Sequence, residues 1–350
     1  MTDDIWDTII VGQGLAGTTL AWRLVDAGQR VLMFDPAEAV TSSKIAAGLI
    51  TPITGQRLAL SWRVNEFLAV ARAFYASIEQ RTGQRFFYER RAVRLLQSVE
   101  ERMQWAKRAG QPAYQAFLSE MQPEPLIASE VAGSDGGGFE MRAAQLDVAA
   151  YLAASRGMLP NETAALDWSR DVVFETSHIS VLGHRCRRLI SCEGFAASRN
   201  PFFPMLQFKA AKGEILTVRF HAPMPERTLH CGIWIAPTAE ADVFRVGATY
   251  DWERLDQVPT VAARAELEGK LRALVRVPFT VLDHHAAVRP IIYLSEAVMG
   301  LHPTHERLGV FNGLGSKGSL HAPWFAKCFA DLLIDGAALP DEVDLRKRTL

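Results

Sequence analysis

The 350-residue chain lacks most of what would settle a function by composition. Its four cysteines, Cys186, Cys192, Cys231 and Cys328, show no CxxC spacing and no histidines at metal-ligand distance. That excludes a disulfide framework and a zinc site, and reads as buried reduced thiols in a cytoplasmic protein. No run of eighteen uninterrupted apolar residues is present, which excludes a spanning helix. A glycine motif within a dozen residues of the acidic Thr2-Asp3-Asp4 leaves no room for a signal peptide. Neither charge dominates: 38 basic against 39 acidic residues give −1, so no global field favours nucleic acid. Internal repeats, low-complexity segments, metal clusters and Ser/His/Asp arrangements are also missing. What remains is an ordinary soluble composition, 49% hydrophobic and 22% charged, of a length suited to roughly two domains.

Against that plain background one stretch is organised. Thr8 to Val11 reads as a short buried strand, and Gly12, Gly14 and Gly17 follow at GxGxxG spacing. A helical pattern runs from Thr18 to Asp26, and a second apolar run, Arg30 to Phe34, ends in Asp35. Gly12 permits the tight turn, Gly14 lets a pyrophosphate reach the backbone, and Gly17 lets the helix pack on the sheet. The helix start offers N–H groups and partial positive charge to phosphates. Asp35 is placed to accept hydrogen bonds from ribose hydroxyls. With no basic residue just after it, a 2′-phosphate is disfavoured, while NAD and FAD both fit.

The remaining pattern alternates helices with strands. Ser42 and Ser43 precede small residues, Ala46, Ala47 and Gly48. Two readings stand: a helix start capped by serine, or a backbone against which something large and flat lies. Leu60 to Arg81 has the periodicity of a long amphipathic helix, and Phe86 to Gln97 that of a strand. Val99 to Met121 reads as helical with an interruption near Gly110-Gln111-Pro112, and Ser134 to Gly138 as a turn between domains. A short strand near Phe139 to Met141 leads into a helix over Gln145 to Ser155. Strands follow at Val172 to Glu175, Arg187 to Cys192, Glu214 to Phe220, Leu229 to Ile235 and Val243 to Tyr250. Val261 to Val275 reads as a helix, Val281 to Tyr293 as extended and Leu308 to Phe311 as a strand. Asn312 to Gly318 is a glycine-rich loop before a helix over Ser319 to Ile334. The order predicts an α/β fold (α+β overall): a Rossmann-like domain, discontinuous in sequence, and a second domain on a mostly antiparallel sheet.

Laid out in full, the chain resembles the D-amino-acid oxidase, glycine oxidase and sarcosine oxidase superfamily of FAD-dependent oxidoreductases over nearly its whole length. Gly12, Gly14, Leu15, Ala16, Gly17 and Asp35 resemble its FAD-adenosine end. Ser42, Ser43, Ala46, Ala47, Gly48 and Leu49 resemble the S-x-x-A-A-G segment that lies along pyrophosphate and flavin. Gln145-Leu146-Asp147 resembles a helix start, and Ile190 to Gly194 a strand-turn covering the cofactor; Val173 and Gly194 are assigned to FAD on this resemblance. Lys212-Gly213-Glu214 and Val246 to Thr249 are similar to substrate-domain strands. Arg289-Pro290 is similar to the pair whose arginine holds a substrate carboxylate. Gly313, Leu314, Gly315, Ser316, Lys317 and Gly318 resemble the loop closing over the flavin, in wording closest to the flavin domain of the bifunctional tRNA methylaminomethyluridine enzyme. Departures are Ile291 to Leu294, where many relatives have a polar run, and His285, where relatives often have tryptophan.

The resemblance implies FAD, held noncovalently because no attachment cysteine is found, and no metal. It divides the chain into an FAD domain (1–85, 140–210, 295–350) and a substrate domain (86–139, 211–294). It implies oxidation of the C–N bond of a small amine or amino acid by hydride transfer to FAD. Arg289 and Lys317 are the expected catalytic residues, the first for a carboxylate and the second for charge near the flavin. A structural ion pair for Arg289 and a solvent-facing Lys317 stand as alternatives. His230 and His321 read as structural imidazoles; His284 and His285 lie near Arg289 but need not enter the site, and for Tyr250 and Tyr293 pocket lining and a core or rim role both stand. Competing functions are a flavoenzyme for a modified tRNA nucleoside, a flavin-binding protein without amine turnover, and an NAD enzyme. A membrane partner is not expected.

Overall fold

The computed structural model describes residues 5–55, 57–118, 137–293 and 297–348, and they build two eight-stranded sheets. In the first, Val298–Leu301, Leu308–Asn312, His184–Ser191, Ile5–Val11, Val31–Asp35 and Asn161–Thr163 lie side by side in that order. All pair in parallel except the antiparallel edge strand Val298–Leu301. Parallel neighbours on both sides and packing over both faces explain why Thr8 to Val11 is an unbroken buried run. Val11 lies in register with Phe34 and Ser191, so three strands end together. At that carboxyl edge, open sheets of this kind bind ligands.

The second sheet runs Phe279–Arg289, Ala211–Phe220, Val243–Gly247, Ile233–Pro237, Thr228–Cys231, Phe87–Leu95, Gly138–Leu146 and Leu49–Ile50. Its one parallel pair is Thr228–Cys231 with Phe87–Leu95. Helix Val261–Leu274 covers one face through a core that includes Leu216, Val218, Leu267 and Leu271. The other face meets the short helix Ser42–Ile45 through Ile45, Ile215 and Ala287. Helices Leu15–Asp26, Val64–Thr82, Val148–Arg156 and Gly318–Asp335 share the largest core. The fold is the expected mixture of a parallel, Rossmann-like sheet and a mostly antiparallel one. No helix of the described residues is long and apolar enough to cross a membrane.

Several local expectations change; the strand expected over Val243 to Tyr250 stops at Gly247, and the one expected over Val281 to Tyr293 is Phe279–Arg289. The first helix begins at Leu15, not Thr18, because Gly14 is already its N-cap. The long helix begins at Val64; Ile53–Thr54 and Ala59–Leu60 pair instead as a small hairpin. Leu229 to Ile235 is not one strand but a hairpin turning at Gly232, whose φ of 68° few other residues tolerate. Gln145 and Leu146 end a strand rather than start a helix, since Gly138–Leu146 pairs with Phe87–Leu95 throughout. Asp147 is the N-cap, its Oδ1 accepting from the Ala150 N–H at 3.0 Å. Residues 140–146, expected in the FAD domain, therefore belong to a strand of the second sheet. The expected turn at Ser134 to Gly136, the end of the helix toward Met121, and Leu294 lie outside the described residues.

Candidate cofactor and substrate site

The site grows from the first strand's end. Gly12 has φ 101°, and a Cβ there would lie 2.5 Å from the Cys192 carbonyl oxygen. Helix Leu15–Asp26 opens on Gly14, which has no side chain to cap it, and its positive end faces the cavity. Ser43 Oγ accepts from the Leu15 N–H at 3.1 Å and so ties the second segment to this helix start. Asp35 is held by its own neighbourhood: Oδ2 accepts from the Gln13 N–H at 2.7 Å and Oδ1 from the Ala37 N–H at 2.8 Å. Arg156 stands 3.8 Å from Oδ1 and donates to the Gln13 side chain.

The serine segment does start a helix, but not with a serine cap. Ser42–Ile45 is a helical turn, capped not by serine but by Thr41, whose Oγ1 accepts from the Lys44 N–H at 3.2 Å. Ala46, Ala47 and Gly48 then line the cavity outside any helix or strand. Two strand residues hold them there. Arg245 donates to the Ala46 carbonyl at 2.7 Å, and Gln145 Nε2 to the Ala47 carbonyl at 3.0 Å. Burial holds the Arg245 guanidinium below its ordinary pKa, with Asp147 opposing. At Gly48, φ is 65°, and a Cβ would fall inside 3.0 Å of the Leu146 carbonyl.

The closing loop completes the enclosure. Asn312 Nδ2 donates to the Gly194 carbonyl at 2.8 Å, which links the loop to the Cys192-Glu193-Gly194 turn. Helix Gly318–Asp335 starts against the first helix: a Cβ on Gly318 would be 2.9 Å from Leu15 Cδ2. Two helix N-termini thus converge on one cavity. Glu193 is a half-buried acid whose carboxylate accepts from Trp168 Nε1 at 3.0 Å, Ser191 Oγ at 2.6 Å and Asn200 Nδ2 at 3.2 Å. Burial raises its pKa against those hydrogen bonds.

Arg289 stands at the other end, the last residue of its strand. Its Nη1 donates to the Thr249 carbonyl at 3.3 Å, and its Cζ lies 4.2 Å from the centre of the Tyr250 ring. Burial lowers its pKa, and no carboxylate pairs with it among the described residues. A half-buried guanidinium held by a carbonyl and a ring keeps its planar fork for an incoming anion.

A single cavity of about 430 Å³ joins these parts. It is lined by Gly12, Gly14, Leu15, Ala16, Asp35, Ser42, Ser43, Ala46, Ala47, Gly48, Leu49, Gly194, Arg289, Gly313, Leu314, Gly315, Ser316 and Gly318, all expected. Three expected residues are not among its walls. Gly17 lies beneath, where a Cβ would strike the Gly12 carbonyl, so it serves helix packing. Val173 is 52% exposed on a strand of an antiparallel extension, and Ala164, Ala165 and Leu166 line the cavity beside Asp35 instead. Lys317 is a half-buried N-cap whose neighbours Ser316, Gly318 and Ser319 line the cavity while it does not. His284 faces Glu214 at 2.8 Å, His285 pairs with Asp283, and Tyr293 is exposed; none enters the cavity, whereas Tyr250 does. His230 and His321 are core imidazoles, lowered by burial to about 4 and about 3. Sequence reasoning misses Trp234, Ile215, Gly213 and Ala287, which only strand pairing brings to the same wall.

The residues present fit a dinucleotide. Side chains at Gly12 or Gly48 would collide with backbone, Asp35 is fixed at the second strand's end, and two helix starts face the space between. Comparison with known proteins agrees. Glycine oxidase from Bacillus cereus ATCC 14579 superposes with a TM-score of 0.77 at 17% identity, covering 95% of this chain and 96% of that one. Iminodiacetate oxidase from Chelativorans sp. BNC1 gives 0.73 at 16% identity, over 96% and 97%. L-proline dehydrogenase from P. horikoshii gives 0.72 at 14%, over 96% and 95%. The signature of the FAD-dependent oxidoreductase family designated DAO matches residues 7–332, most of the length, and the chain belongs to that family of FAD-dependent enzymes.

Proposed function

We propose that this enzyme oxidises the C–N bond of a small amine that carries a carboxylate, an amino acid or an N-substituted one. One observation carries the reading: a half-buried Arg289 with no acid partner among the described residues, lining the cavity that fits the cofactor. An arginine in a structural ion pair would have its carboxylate beside it; this one has a carbonyl and a ring. FAD, when bound, supplies the acceptor for a hydride from the carbon next to nitrogen.

In this reading Gly12, Gly14, Leu15 and Ala16 receive the pyrophosphate, and Asp35 the ribose hydroxyls. Ser42, Ser43 and the run from Ala46 to Leu49 carry the length of the cofactor. Gly194 and the loop from Gly313 to Ser316, with Gly318, close over it. The helix starting at Gly318 directs backbone N–H groups and its positive end into the cavity, so negative charge developing there is met by fixed dipoles. Arg289 orients the substrate by its carboxylate, which places the amine without any acid or base from the protein. The first sheet and its helices would form the cofactor domain, and the second sheet the substrate domain. The cofactor is noncovalent: Cys192, the cysteine that lines the cavity, is buried and its thiol pushed far up by desolvation. Four unpaired cysteines suit a cytoplasmic location. Among the described residues nothing favours a tRNA nucleoside over a free amine.

The test is anaerobic mixing of the yellow holoenzyme with glycine, sarcosine, proline and both enantiomers of common amino acids. Bleaching by at least one carboxylate-bearing amine is expected, with a ten- to hundredfold loss of affinity in Arg289→Ala and full FAD content retained. Bleaching only by amines without a carboxylate, or unchanged affinity in Arg289→Ala, would overturn the reading. Acid precipitation should release all the flavin.

A further inference from the structure

We infer that the substrate's remaining substituent is a plain hydrocarbon, so that the enzyme prefers apolar amino acids over glycine, acidic or basic ones. The inference rests on the carboxylate role proposed for Arg289. Strand alternation decides what surrounds that residue. Ala211 pairs with Arg289, Gly213 with Ala287 and Ile215 with His285, so these positions share one face. Across the sheet, Ile215 and Trp234 both pair with Gly247. Moving away from the guanidinium, the cavity wall is therefore Gly213, Ala287, Ile215 and Trp234.

The polar residues of the same strands are turned away or already engaged. Lys212 and Glu214 are buried on the opposite face, Lys212 with Asp256 at 2.5 Å and Glu214 with the Thr260 hydroxyl at 2.9 Å. His285 lines a neighbouring cavity, paired to Asp283 at 2.8 Å. Ile45 and Ile215 pack together where the two cavities adjoin. The other charged residues lining the first cavity are Asp35, Glu38, Lys44 and Glu193. Asp35 is engaged with the Gln13 and Ala37 N–H groups, Lys44 with the Glu38 backbone carbonyl, and Glu193 with Trp168, while Glu38 is exposed to water three residues beyond Asp35. Asn312 spends its amide on Gly194 and Gly313. Against the wall of Gly213, Ala287, Ile215 and Trp234 a second charge on the substrate would thus lose its water to alkyl and indole surface, whereas each methylene would gain by burial.

Titration calorimetry of the holoenzyme with acetate, propionate, butyrate and valerate tests this without turnover, with succinate as the charged counterpart of butyrate. Affinity should rise about fourfold per methylene, the equivalent of about 0.8 kcal/mol, and succinate should bind at least tenfold more weakly than butyrate. Ala287→Leu, which fills the wall, should flatten the series. Carboxylates that bind through Arg289 with no dependence on chain length, or succinate tighter than butyrate, would overturn this inference and leave the carboxylate reading standing. Failure of every carboxylate to bind, or equal binding to Arg289→Ala, would overturn both.

Discussion

Gly213→Ala is the sharpest probe of the substrate end, because one methyl group tests a cation without touching its charge. Gly213 lies in a strand with no left-handed backbone requirement, and its Cα faces the Arg289 side chain. A Cβ built there falls inside 3.0 Å of Cζ and of both terminal nitrogens. A real methyl does not approach that closely, so the guanidinium must swing away from its present position. The atoms that must move are the far end of a flexible side chain, and alanine suits a strand no worse than glycine. Global stability should therefore stay near wild type. What is lost is the alignment of the fork with a carboxylate, a charge-assisted interaction of about 1.5–3 kcal/mol. Tenfold in affinity corresponds to about 1.4 kcal/mol. Calorimetry with butyrate should thus show a dissociation constant raised roughly ten- to a hundredfold, with melting temperature and FAD content unchanged. Wild-type affinity in a folded, FAD-loaded Gly213→Ala would refute the placement of Arg289 as the anion's partner.

Gly48→Ala should behave in the opposite way, since the clash there is with the Leu146 carbonyl, which cannot rotate aside, at a φ of 65°. A loss on the order of 3 kcal/mol is expected, read as a lowered melting temperature and poor FAD retention; a wild-type melt with stoichiometric FAD would contradict it. Lys317→Met should leave the cofactor's midpoint potential and butyrate affinity unchanged, because the lysine side chain is not among the cavity's walls; a lowered potential would return the ammonium to the flavin. Acid should weaken the fold through His230 and His321, both buried neutral, with folded pKa values of about 4 and about 3 against 6.5 when unfolded. The unfolded chain then binds the extra protons, so stability is complete above pH 6.5 and falls as pH drops, by up to about 1.4 kcal/mol per unit for each histidine. Urea midpoints between pH 7 and 5 should show this slope, and His321→Leu should reduce it; an unchanged slope would remove His321 from the account.

The dinucleotide end is legible in sequence because its residues are fixed by near neighbours. Gly12, Gly14 and Gly17 answer to one turn and one helix start, and Asp35 is held by Gln13 and Ala37, 22 and 2 residues away. Arg289 is legible only through family resemblance: its distinguishing property, the lack of an acid partner among the described residues, belongs to the fold. Gln145 and Arg245, which hold the Ala47 and Ala46 carbonyls, act across 98 and 199 residues, and no local pattern marks them. Ala164 to Leu166 escape for another reason, since the three-residue strand Asn161–Thr163 before them is too short to show a period.

The Lys212-Gly213-Glu214 triplet carries the point furthest. Read as letters, its two charges look like the chemistry and its glycine like a spacer. A strand turns successive residues to opposite faces, and Gly213 is the one that meets the cavity. Its neighbours are consigned to the buried side, where Lys212 finds Asp256 and Glu214 finds Thr260. The charged pair therefore anchors the segment that leads back from Tyr250, and the glycine leaves the volume that the Arg289 guanidinium occupies. In this wall the residue that meets the cavity is the one with no side chain, and any reading that ranks positions by chemical reactivity alone will choose the two that do not meet it.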